Sequence, residues 1–129
     1  MNIQPTYATF EQAKLLKEKG FDLKSKYHYP DLSEKQEICL TTDWNNFTDM
    51  AGNSEYFTAP KQWQVVEWLR VNHGIWICVN WYPENDINRW SCIVDKIGNF
   101  KQLGFLKGFN TPQEAYSAAF DYILNNNLI

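Results

Sequence analysis

No apolar run in these 129 residues approaches the about 18–20 that a membrane-spanning helix requires. Residues 1–14 have neither the charged start nor the apolar middle of a signal peptide, so a cytoplasmic location is expected. Charge of one sign is also scarce. Twelve Lys and Arg against fifteen Asp and Glu leave a net −3. That is no basis for gripping a nucleic-acid backbone, and too small an acidic excess for mimicking one. The three cysteines, Cys39, Cys78 and Cys92, are odd in number and lack CxxC spacing, which argues against a disulfide framework and against a zinc knuckle. There are only two histidines, and no HxxxH pattern. Asp43, Asn45 and Asp49 open like a calcium loop, but the turn glycine is missing and Ser54 stands where the bidentate Glu belongs. Neither a nucleophile elbow nor a glycine-rich phosphate loop occurs. No metal or cofactor is expected.

What is abundant is aromatic: 16% of the chain, including six tryptophans. Large rings serve equally as core filling and as contact surface, so their distribution along predicted elements matters. The most patterned stretch is residues 58–82, TAPKQWQVVEWLRVNHGIWICVNWY. It predicts a helix opened near Thr58 with Pro60 in its first turn, an inward stripe of Val65, Val66, Leu69 and either Gln62 or Trp63, and a stop at His73-Gly74. Strict alternation follows over residues 75–82, with Ile75, Ile77, Val79 and Trp81 on the core face and Trp76, Cys78, Asn80 and Tyr82 on the other.

Residues 83–88 predict a turn, and residues 89–97 a return strand. Setting Tyr82 against Arg89 places Trp81 opposite Trp90, Val79 opposite Cys92 and Ile77 opposite Val94, which makes one face uniformly apolar; a one-residue slip would destroy it. Cys78 and Cys92 then lie on opposite faces and do not bridge. Gly98-Asn99 marks a second turn, with a third strand over residues 100–106.

Upstream, Thr9 and Gln12 form a capping box for a helix over residues 10–19, ended by Gly20 with Phe21 folding back. Residues 21–29 and 37–44 predict a hairpin. Residues 45–57 predict a long polar loop, and loops of that length are often functional. Thr111, Pro112 and Glu114 open a final helix with a narrow stripe of Ala115, Ala118, Ala119, Tyr122 and Ile123. The predicted fold is a single α+β domain over residues 1–129. It has two layers, an antiparallel sheet backed by helices, in the order α-β-β-α-β-β-(β)-α.

The run Ala59-Pro60-x-Gln62-Trp63-Gln64-Val65-Val66-Glu67-Trp68-Leu69-Arg70-x-x-His73-Gly74-Ile75, with the ending Phe109-x-Thr111-Pro112-Gln113-Glu114-Ala115-Tyr116, resembles a family of small uncharacterised proteins encoded in phage and prophage genomes, largely of intestinal bacteria. The resemblance covers the first helix, the central helix–strand unit and the last helix, and leaves out residues 29–55. It implies a phage-derived accessory protein acting inside a bacterial cell. It brings no activity and no site residue with it.

For function, the aromatics beside polar loop and strand residues are the composition of a contact surface. The expected ligand-binding set is Trp44, Phe47, Tyr56, Trp76, Asn80 and Tyr82. The leading expectation is a non-catalytic phage accessory protein that binds a host protein or a small, nucleotide-like ligand. It uses neither nucleic acid nor membrane, and self-association is left open. One alternative is a hydrolase-type enzyme using His28 or His73 with an acid such as Asp43. A second is a structural or assembly component of a phage.

Overall fold

A computed structural model of the chain describes residues 3–30, 38–44, 47–48 and 55–129, with the backbone alone at residues 39–44, 47, 48 and 55. Among the described residues the architecture is α+β: three helices and two antiparallel sheets. The chain forms two compact units, Met1–Lys61 and Gln62–Ile129, each with one sheet.

The first unit begins with helix α1 (Phe10–Glu18). Its capping box is formed as the spacing requires: Gln12 N–H donates to Thr9 Oγ1 at 3.2 Å, and Thr9 N–H donates to Gln12 Oε1 at 3.0 Å. Such a cap is worth about 1 kcal/mol. At the other end Gly20 adopts φ +89°, Gly20 N–H donates to the Lys17 carbonyl and Phe21 N–H donates to the Leu16 carbonyl, closing a Schellman turn. The predicted hairpin is β1 (Ser25–Pro30) against β2 (Cys39–Trp44), pairing His28 with Cys39.

The stretch read as a polar loop holds two more strands, β3 (Phe47–Thr48) and β4 (Glu55–Thr58), in a sheet ordered β2-β1-β4-β3. The strand-forming Glu-Tyr-Phe-Thr was masked by its Asn, Gly and Ser neighbours. Phe57 of β4 joins Phe10, Ala13, Tyr29 and Ala59 in a buried cluster. Phe10 meets Tyr29 and Phe57 edge to face at 5.9 and 5.8 Å. Thr58 is not a helix cap; its hydroxyl donates to the Leu23 carbonyl at 3.2 Å, and Pro60 accepts from Ala8 N–H at 2.8 Å.

In the second unit, helix α2 (Gln62–His73) buries Gln62, Val65 and Leu69. Gln62 rather than Trp63 completes the stripe, its amide donating to the Gln113 carbonyl at 3.0 Å while Trp63 stays exposed. Gly74, at φ +62°, ends the helix. Strands β5 (Ile75–Glu84), β6 (Ile87–Lys96) and β7 (Lys101–Phe109) form a sheet in that order. The β5–β6 register is the predicted one, Tyr82 with Arg89 through Ile77 with Val94, and Cys78 and Cys92 are both free. The connecting turn is tighter than expected: Asn85 and Asp86, at φ +50° and +62°, alone join Glu84 to Ile87. Phe100 belongs to the second turn rather than to β7; it has φ +54° and is fully exposed.

Helix α3 (Pro112–Asn125) packs across all three strands, and α2 packs on β5. The buried side of α3 is broader than the alanine stripe: Phe120 and Leu124 join Ala115, Ala119 and Ile123, while Ala118 and Tyr122 are half-buried. The Tyr122 ring lies over Gly104, where a Cβ would come within 2.4 Å of it, and the Tyr122 hydroxyl donates to the Leu103 carbonyl at 2.8 Å.

Candidate binding surface

The expected set divides between the two sheets. In the first unit, register sets Phe47 directly against Tyr56, and Tyr56 against Pro30. Trp44 pairs with Ser25 at the opposite end of β1. The side chains of Trp44, Phe47 and Asp43 lie outside the described residues, and Tyr56 is half-buried. In the second unit, Trp76, Asn80 and Tyr82 share one face of β5, as alternation demands.

That face is the one opposite the buried row. Ile75 and Ile77 are buried, as are Val94 and Cys92 across from Ile77 and Val79 on β6. The other face keeps Trp76 42% exposed and Asn80 exposed, with Cys78 and Tyr82 half-buried. The register extends it across the sheet: Asp95 stands opposite Trp76, Ile93 opposite Cys78 and Arg89 opposite Tyr82. On β7, Phe105 pairs with Ile93 and is 51% exposed, and Lys107 pairs with Ser91. Trp76, Ile93 and Phe105 thus form an apolar diagonal across three strands, with Asp95, Asn80 and Lys107 beside it. Within it Asn80 Nδ2 donates to Cys78 Sγ at 3.4 Å, and the Tyr82 hydroxyl donates to Glu84 Oε2 at 3.4 Å.

Ile93 and Phe105 were missed in the sequence-level set. Continuing the register past the Gly98-Asn99 turn would align Ile93 with Gly104, so the sequence does not signal the pairing with Phe105. The irregularity between Val94 and Asp95 moves the pairing by one residue and brings Phe105 opposite Ile93.

Trp81, assigned to the core, is 55% exposed and its indole N–H donates to Asn88 Oδ1 at 3.0 Å. β5 is an edge strand of the sheet, and along its core-side row burial falls from Ile75 and Ile77 through half-buried Val79 to exposed Trp81.

The histidines fall in unlike places. His28, named as a possible catalytic residue, is wholly buried, flanked in the sheet by Cys39 and Thr58. His73 packs edge-on to Trp68 at 4.6 Å, and Lys96 Nζ donates to its carbonyl oxygen. Burial, reinforced by the neighbouring Lys96 charge, pushes the His73 pKa below its ordinary value. The Lys96 ammonium, donating to the His73 carbonyl, places a positive charge at the C-terminal end of α2. Among the described residues no group of three His, Cys, Asp or Glu side chains converges as a metal site would. No protein-family model matches the chain, and no curated protein and no solved structure matches it.

Proposed function

We propose that the chain is a non-catalytic binding protein whose contact surface is the face of the three-stranded sheet that carries Trp76, Asn80, Tyr82, Ile93 and Phe105. The observation that carries this reading is the Trp76–Ile93–Phe105 diagonal. Two of its large rings are about half exposed on regular strands, held by the sheet instead of by a mobile loop. Rigid aromatic anchors ringed by polar groups are the usual energetic centre of a protein interface. A sheet face is broad and open, whereas small-ligand sites are concave. A protein partner is therefore favoured over a nucleotide-like ligand. The phage-derived accessory role inside a bacterial host cell rests on the resemblance of residues 59–75 and 109–116.

The test is capture from bacterial host lysate on immobilised protein, run beside Trp76→Ala and Phe105→Glu. Both positions are surface positions where substitution typically changes stability by no more than about 0.5 kcal/mol. Selective capture that both variants lose, and that Trp63→Ala on the exposed side of α2 retains, supports the reading. Capture indifferent to Trp76 and Phe105 refutes it. A thermal shift with a nucleotide panel that disappears in Trp76→Ala would transfer the site to a small ligand.

A further inference from the structure

We propose that two copies of the chain associate by antiparallel pairing of β5 with β5 of the second copy, making a six-stranded sheet about a two-fold axis at Val79. This does not depend on what the open face of the sheet binds.

The two edges of the sheet are built differently. Strand β7 carries Lys101 and Lys107, slips twice in its pairing with β6, and has Gly108 at φ +96°. Charge and irregularity of this kind keep an edge from recruiting another strand. Strand β5 has none of these defences until its last two residues. It pairs with β6 over ten consecutive positions without a slip, and no charged residue occurs from Ile75 to Pro83. Ile-Trp-Ile-Cys-Val-Asn-Trp-Tyr is strongly strand-forming. Among the described residues no strand pairs with its far side.

The turn sets which backbone groups are free. A two-residue loop makes Glu84 and Ile87 a hydrogen-bonded pair, so the N–H and C=O groups of Tyr82, Asn80, Cys78 and Trp76 point to β6. Those of Ile75, Ile77, Val79, Trp81 and Pro83 point outward. Proline is tolerated at this position because the N–H it lacks would face away from the sheet. From Ile75 to Trp81 the outward row offers every N–H and C=O that one more antiparallel strand needs, and Pro83 adds its C=O.

Pairing centred on Val79 sets Ile77 against Trp81 and Ile75 against Pro83. On the other face it sets Trp76 against Tyr82 and Cys78 against Asn80. This register uses the whole charge-free run and ends where Gly74 and the Asn85-Asp86 turn end the strand. It also brings both exposed rings of β5, Trp76 and Trp81, against the second copy, on opposite faces. Shifted registers shorten the overlap.

Sedimentation equilibrium should give twice the monomer mass. Amide hydrogen exchange should show protection of Ile77, Val79 and Trp81 that rises with protein concentration, while Cys78 and Asn80 stay unchanged. Val79→Pro removes one outward N–H and leaves the β6 ladder intact, so it should return the protein to monomer. The exposed substitution Asn80→Cys sets a second thiol opposite Cys78 of the other copy. In a non-hydrogen-bonded pair the Cα atoms are about 4.5 Å apart, within disulfide range. Mild oxidation should then give a covalent dimer that the unsubstituted protein does not. A monomer at every concentration overturns the proposal. So does a dimer that survives Val79→Pro, or one that gives no Cys78-linked species with Asn80→Cys.

Discussion

Replacing Gly104 with alanine tests the packing of α3 on the sheet through the sign of the effect. Gly104 lacks a left-handed backbone, so in open space the added methyl would stabilise the strand by about 0.4–1 kcal/mol through the unfolded chain alone. The space is not open. The new Cβ would sit 2.4 Å from Tyr122 Cε1 and 2.7 Å from Cζ, roughly an ångström inside normal contact. The ring cannot simply swing aside, because its hydroxyl is held by the Leu103 carbonyl at 2.8 Å. Overpacking of this kind costs about 1–3 kcal/mol, and a lost hydrogen bond about 1 kcal/mol more. Strain should therefore win, with a net loss of about 1–3 kcal/mol in urea unfolding and an unchanged m-value. The decisive control is the same substitution in a Tyr122→Ala background, where the obstacle is gone and Gly104→Ala should turn neutral or stabilising. A coupling of at least about 1 kcal/mol between the two sites is expected, as for residues in direct contact. A stabilised single mutant, or a cost that persists without the Tyr122 ring, would refute this account of the α3–β7 contact.

Other outcomes follow from buried titratable groups. Burial, with a smaller contribution from the Tyr7 charge, pushes the Tyr29 phenol up from 10.0 to about 12, and its hydroxyl donates to the Ala8 carbonyl at 2.6 Å. A raised phenol pKa means the fold favours the neutral form, so its contribution is complete below pH 10.0 and is lost as pH rises towards about 12. Absorbance titration of the phenols should show a late tyrosine, removed in Tyr29→Phe, with stability falling across that same window. Cys92 is fully buried and its thiol is pushed up to about 11 by burial. Limited alkylation of native protein, mapped by mass spectrometry, should therefore label half-exposed Cys78 well before Cys92. Equal labelling of the two would contradict the assigned faces of the hairpin.

The features legible in the sequence are those set by neighbours close along the chain. A hydroxyl three residues before an amide caps α1 whatever else is present, and Thr9 and Gln12 did so as read. Alternation with a short turn leaves one β5–β6 register that keeps apolar residues together, and that register is the one formed. From it came the shared face of Trp76, Asn80 and Tyr82. Composition misled where a strand was embedded in turn-forming residues, as at Tyr56 and Phe57 of β4, and where a capping residue had a competing role, as at Thr58.

Burial was settled only in three dimensions, because it depends on what distant segments lay over a residue. His28 alternates like a surface position, yet β4 arrives from thirty residues downstream and flanks it in the sheet. Trp81 alternates like a core position, yet it stands on the edge strand of its sheet and is left exposed. Phe105 gained its place beside Ile93 only when β7 docked on β6 through the irregularity between Val94 and Asp95. Hydrogen-bond spacing and side-chain alternation are local and can be read from the chain; the order of strands in a sheet, and which of them stands at its edge, are not local. The sequence alone therefore determined the elements and the hairpin register, while tertiary structure decided which aromatic faces are covered and which stay exposed.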